Sequence, residues 1–151
     1  MAKVILLDTS PLGRVTHPKP DPKVTEWVLR LQVELLVPEI ADYELRRELL
    51  RAGKTKSINR LNNLIDNCLI PLDSPTMKKA AELWSIIRKQ GRPTASNDSL
   101  DGDVIIAAQA IMQLNKFDEV MIVTTNLNHI SQFEAQGIKV KDFEEIVNNL
   151  V

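Results

Sequence analysis

The sequence predicts an α/β domain built on a parallel sheet flanked by helices. Short all-apolar runs alternate along the chain with amphipathic stretches of helical spacing. No two-residue Asn-Gly hairpin signal joins neighbouring runs, so the strands are expected to be linked by βαβ crossovers. With 151 residues, and without repeats, low-complexity tracts or linkers, residues 1–151 are expected to form a single domain.

Residues 3–7 (Lys3-Val4-Ile5-Leu6-Leu7) read as a buried first strand, and Asp8 ends it. Thr9-Ser10-Pro11-Leu12-Gly13 carries turn chemistry, and Pro18, Pro20 and Pro22 keep the next segment extended. Val24, Trp27, Val28 and Leu31 give the three-four spacing of a helix over 22–31. A second strand, 34–37, is stopped by Pro38. Ile40, Tyr43, Leu45 and Leu49 mark a helix from Glu39 to about Gly53, and Ile58, Leu61, Leu64 and Ile65 mark another over 55–66. Residues 68–72 form a short third strand. Asp73-Ser74-Pro75 opens the next helix, with Pro in its first turn. A polar loop over 91–99 precedes a helix from about Asp101 to Asn115. A fourth strand (120–124), a short helix (128–136), a small fifth strand (138–140) and a final helix (142–150) complete the pattern.

Composition narrows the function. Charged residues make up 26% and hydrophobic residues 44%, the profile of an ordinary globular protein. A formal net charge of −1 argues against nucleic-acid binding by overall charge but leaves room for a basic patch beside an acidic site. One cysteine, Cys68, rules out an internal disulfide framework, and two His with one Cys cannot furnish a zinc set. The first apolar run is too short for a signal peptide and no segment is long enough to span a bilayer, so the expected location is the cytoplasm, without a membrane partner. A Walker loop and a dinucleotide glycine fingerprint are both absent.

The residues able to carry chemistry lie where strands end and helices begin. Asp8 directly follows the first strand, a position that suits a site in the crevice beyond strand ends and also suits a turn or cap. Thr9 and Ser10 can orient a metal-bound water, touch a phosphate, or cap the turn. Glu44 shares a helix face with Arg47 and Glu48; it belongs either to solvated ion pairs or to a site facing Asp8. Arg46, Arg47, Arg51, Lys54, Lys56 and Arg60 make the densest basic stretch, readable as solubility or as a phosphate track. Asp98, Asp101 and Asp103 lie within six residues, more acid than capping needs. On a helix Asp101 and Asp103 point roughly 200° apart, so Asp103 is assigned to the site and Asp101 is cap or second ligand. Asn126, after the fourth strand, can accept from a metal-bound water or serve a turn; His129 is a cap, phosphate contact or proton donor.

Leu7-Asp8-Thr9-Ser10, Tyr43-Glu44-Leu45-Arg46-Arg47, Asp103-Val104-Ile105-Ile106-Ala107-Ala108 and Val123-Thr124-Thr125-Asn126-Leu127-Asn128-His129 follow one another in an order and spacing that span nearly the whole chain. Together they resemble a PIN-domain ribonuclease, most similar to the VapC-type toxins of bacterial toxin–antitoxin pairs. The resemblance implies a PIN-like three-layer α/β/α fold with a central sheet of four to five parallel strands, order 3-2-1-4-5. It also implies Mg²⁺ or Mn²⁺ held by Asp8, Glu44 and Asp103, endonucleolytic cleavage of RNA, a homodimer, and a small antitoxin that occludes the site. Many PIN enzymes carry a fourth acid near the last motif; Asn126, Asn128 and His129 stand there instead, leaving three acids.

The expected chemistry is metal-assisted hydrolysis of an RNA phosphodiester. Asp8, Glu44, Asp103 and Asn126 form the catalytic set, Asp8, Asp103 and Asp101 the candidate metal ligands, and Thr9, Ser10, Arg46, Arg47 and Arg51 the RNA contacts. The alternatives are a catalytically silent RNA- or partner-binding protein, in which the acids only cap and turn, and a metal-dependent phosphatase. The latter lacks the Asp-x-Asp expected after its first strand, since Asp8-Thr9-Ser10 stands there.

Overall fold

The computed structural model describes residues 2–90 and 97–150, without the side chains of 97–99. The strands are β1 (Lys3–Leu7), β2 (Glu34–Pro38), β3 (Leu69–Ile70), β4 (Glu119–Thr124) and β5 (Lys139–Asp142). They form one sheet in the order β3-β2-β1-β4-β5, every neighbouring pair parallel, which is the arrangement the resemblance implies. β1 lies in the middle, with Leu6 beside Leu36 of β2 and Leu7 beside Val123 of β4.

The helices are α1 (Thr9–Val15), α2 (Pro22–Arg30), α3 (Glu39–Arg51), α4 (Thr55–Cys68), α5 (Ser74–Lys89), α6 (Asn97–Met112), α7 (Leu127–Ile130) and α8 (Phe143–Asn148). Tight 3₁₀ turns extend α6 over Gln113–Asn115 and α7 over Ser131–Gln136. Period-two alternation in β1 and β4 divides the core between two faces. Val4, Leu6, Val120 and Ile122 pack under α5, α6 and α7. Leu7 and Val123 pack with Leu12 of α1, Val24 and Trp27 of α2, Leu61 of α4 and Phe143 of α8. There Trp27 and Phe143 meet edge to face, centroids 5.6 Å apart.

The elements depart from expectation in informative places. Residues 9–13 were expected as a turn and instead open α1. Asp8 caps that helix by accepting from the Thr9 amide at 2.8 Å. Pro11 falls in the first turn, where its missing N–H costs no intrahelical bond. Gly13 lets α3 come close, since a Cβ there would stand 3.4 Å from the Leu45 side chain. The third strand shrinks from 68–72 to Leu69–Ile70, because α4 keeps Cys68 and Pro71 cannot donate to a ladder. α6 starts at Asn97, a turn earlier than expected, which places Asp101 inside the helix rather than at its cap. The expected polar loop over 91–99 lies for the most part outside the described residues, as does the Asp98 side chain.

A buried glutamine ties the thin β3 edge to the rest. Gln109 of α6, 1% exposed, accepts from the Ile40 amide at 3.1 Å and donates to the Ile70 carbonyl at 2.8 Å. Gln109→Leu strands both backbone groups, and is expected to lower stability by roughly 2–4 kcal/mol in chemical denaturation, with faster amide exchange at Ile40.

Candidate active site

The middle strand delivers the first acid. Asp8 leaves β1 in extended conformation, its amide donating to the Val123 carbonyl at 3.0 Å. Its Oδ1 is occupied by the Thr9 amide, and its Oδ2 accepts from Thr124 Oγ1 at 2.7 Å. Thr124 is fully buried at the end of β4, and the same Oγ1 accepts from the Asn126 amide at 2.8 Å. One hydroxyl therefore links the ends of two adjacent strands and fixes the Asp8 carboxylate.

The second acid arrives from α3. Thr9 Oγ1 donates to Glu44 Oε1 at 2.8 Å, so the residue after Asp8 holds Glu44. Across from it lies Gly102 of α6, where a Cβ would come within 2.8 Å of Glu44 Oε2. That glycine makes room for the carboxylate.

The third acid follows Gly102. Asp103 is only 9% exposed, and its Oδ2 is buried without a hydrogen-bond partner. His129 Nδ1 stands 3.7 Å from this oxygen and 3.3 Å from Asn126 Nδ2. Burial, followed by repulsion from Asp8 and then from Glu44, pushes the Asp103 carboxyl up to about 7. Asp8, Glu44 and Asp103, remote in sequence, thus share one electrostatic site, with Asn126 joined through Thr124 and His129. The site is open: among the described residues, no three His, Cys, Asp or Glu side chains are gathered closely enough to enclose an ion as they stand.

Other candidate residues lie elsewhere. Asp101 is exposed and lines a groove with Met77, Trp84 and Val104, on the side of α6 away from the trio. Ser10 is exposed on α1. Arg46 is committed to a two-pronged pair with Asp42 (2.9 and 3.1 Å) and to Asn62. Arg51 pairs with Glu48 at 2.7 Å. Arg47 lies against Tyr43, its guanidinium 5.2 Å from the ring centre, and within electrostatic reach of Glu44. Gly102's part has no local signature among the residues around it. Thr124 enters the site by donating to Asp8.

The high Asp103 pKa has a definite sign for stability. Between its ordinary value of 3.8 and about 7, the folded chain keeps a proton that the unfolded chain has lost, so stability falls as pH rises through that window. Denaturation without divalent ions is expected to show a loss on the order of 2–4 kcal/mol from pH 4 to pH 8, and Asp103→Asn is expected to remove most of that slope.

A family model described as "PIN domain" matches residues 5–128, a span that contains Asp8, Glu44, Asp103 and Asn126. A search of curated proteins returned no match. Among solved structures, FitAcB from Neisseria gonorrhoeae is 24% identical, aligned over 90% of this chain and 95% of its own, with a TM-score of 0.64. VapBC2 from Rickettsia felis, bound to a DNA fragment from their promoter, is 16% identical over 92% of this chain and 98% of its own, TM-score 0.71. DNA-bound VapBC from Salmonella typhimurium is 16% identical over 95% and 99%, TM-score 0.69. These likenesses extend to the whole architecture, and with the family match over most of the chain they place this protein in the PIN-domain family.

Proposed function

We propose that the protein is a divalent-metal-dependent endoribonuclease, the toxin of a toxin–antitoxin pair. The observation that carries this reading is the convergence of Asp8, Glu44 and Asp103 from three separate elements, with Asp103 Oδ2 buried and unpartnered. Such an arrangement is costly for its own sake, because like charges and an orphaned oxygen both oppose folding. A hard cation offsets both. The donors are all carboxylate oxygens, and the open spacing suits Mg²⁺ or Mn²⁺ held directly by one or two of them and otherwise through water. Asp8 and Asp103 would hold it directly and Glu44 through water; Asp101 faces the α5–α6 groove and is left out of the set.

When bound, the cation supplies charge neutralisation at the phosphate and a water of lowered pKa. The chain's own residues do the rest. Thr124 and the Thr9 amide engage both oxygens of Asp8, so its carboxylate is held in one orientation at the end of β1. Glu44 Oε1 is engaged by Thr9, which leaves Oε2 to accept a proton from the attacking water. Asn126 orients His129 beside Asp103. The likeness to VapBC structures supports a small protein partner that covers this crevice.

Cleavage of single-stranded RNA in Mg²⁺ or Mn²⁺ tests the assignment. Asp8→Asn and Asp103→Asn are each expected to reduce it roughly 100-fold or more while the fold survives. Undiminished cleavage in both would remove the mechanism. A melting temperature unmoved by Mn²⁺, with RNA still bound in EDTA, would favour a catalytically silent binding protein. Gly102→Ala separates site from scaffold. Alanine favours the α6 helix by about 1 kcal/mol, yet its Cβ displaces Glu44. The variant is expected to melt no lower than wild type and to cleave RNA at least about 10-fold more slowly.

A further inference from the structure

A second feature lies at the far ends of the helices that hold Asp8 and Glu44. A cavity of about 550 Å³ opens where α1 ends and α3 turns into α4, lined by His17, Lys19, Leu49, Gly53, Lys54 and Lys56 among others, and among the described residues by no acidic one. The turn needs Gly53, whose φ of +67° is left-handed. Beyond it α4 begins with Lys54 at its cap position and no side chain capping it. Lys19, Lys54 and Lys56 are exposed, and none takes part in the ion pairs found among the described residues, unlike Arg14, Arg46 and Arg51. His17 Nδ1 accepts from the Lys19 amide at 3.0 Å, which leaves Nε2 as the ring's donor. Arg60 is committed to the Thr16 carbonyl and fixes the end of α1 against α4.

From these features we infer that the cavity is a phosphate subsite for the RNA backbone, remote from the bond that is cut. The inference rests on the nuclease reading. α3 leads from Glu44 to the cavity wall at Leu49 and Gly53, on the order of 10 Å at about 1.5 Å per residue, a gap that a few nucleotides bridge. α1 leads there from Asp8, and the two helices pack at Thr9–Glu44 and Gly13–Leu45. A polyanion needs such an arrangement: a trio of carboxylates repels a strand of phosphates wherever a cation does not intervene, and unpaired lysines further along the same two helices supply the opposing attraction. The contact is to phosphate, so it adds affinity and register without reading base sequence.

The test is binding of a fluorescein-labelled single-stranded oligoribonucleotide of about 12 nucleotides, followed by anisotropy in EDTA across a salt series. Wild type is compared with the double variant Lys54→Glu/Lys56→Glu and with a charge-matched control, Lys78→Glu/Lys141→Glu, exposed on other elements. The cavity variant is expected to bind about 10-fold more weakly, with the salt slope reduced by about 1–2, while the control binds as wild type does. Unchanged affinity in the cavity variant, or an equal loss in the control, would overturn the subsite. So would a poly-glutamate peptide that binds as tightly as RNA and is lost in the same variant, since an acidic protein would then be the occupant. Thermal melting of each variant shows that the fold is retained. Failure of wild type to cleave RNA would remove the nuclease assignment while leaving this binding readout intact, so the two outcomes are distinguishable.

Discussion

The position of β1 between β2 and β4, with helices over both faces, governs everything chemical in this molecule. Where the strand is enclosed on four sides, from Val4 to Leu7, its side chains are apolar, and the first residue past its end is the next that can carry charge. Asp8 is that residue. Because β4 runs parallel beside β1, its own end arrives at the same level, and Thr124 meets Asp8 there. Because α1 starts at once, Thr9 lies on the first turn with its hydroxyl toward α3. The site follows from where the sheet stops.

Within the site, geometry and electrostatics pull in opposite directions. Hydrogen bonds from threonines neutralise none of the charge they position, and burial of Asp103 sharpens the repulsion that Asp8 and Glu44 exert on it. The chain keeps the arrangement because each carboxylate is anchored by a different element, so no single loop can relax it. Repulsion of this kind, held in place by separately packed elements, is expected at a place where a ligand supplies the missing countercharge.

Much of this was legible in the residues. The apolar runs revealed the strands, and the abrupt change to Asp8 marked the crevice; the same logic located Asn126 after β4. Other features needed the third dimension. Pro11 and Gly13 looked like turn residues because their local preferences say so, whereas one exploits the free amides of a first helical turn and the other a close helix contact. Asp101 and Asp103 differ only by rotation about α6, and which of them faces the acids depends on where the sheet seats the helix. Gly102's clearance for Glu44 and Gln109's two backbone bonds join residues far apart in sequence, and no local pattern announces them.

The rims of the sheet have a consequence for assembly. At one rim β3 contributes two residues before Pro71 ends its capacity to donate; at the other, β5 turns Lys139 and Lys141 to solvent. A foreign strand seeking to extend the ladder finds too few donors on one side and a charged, hydrated border on the other. Neither rim therefore favours assembly by an added strand.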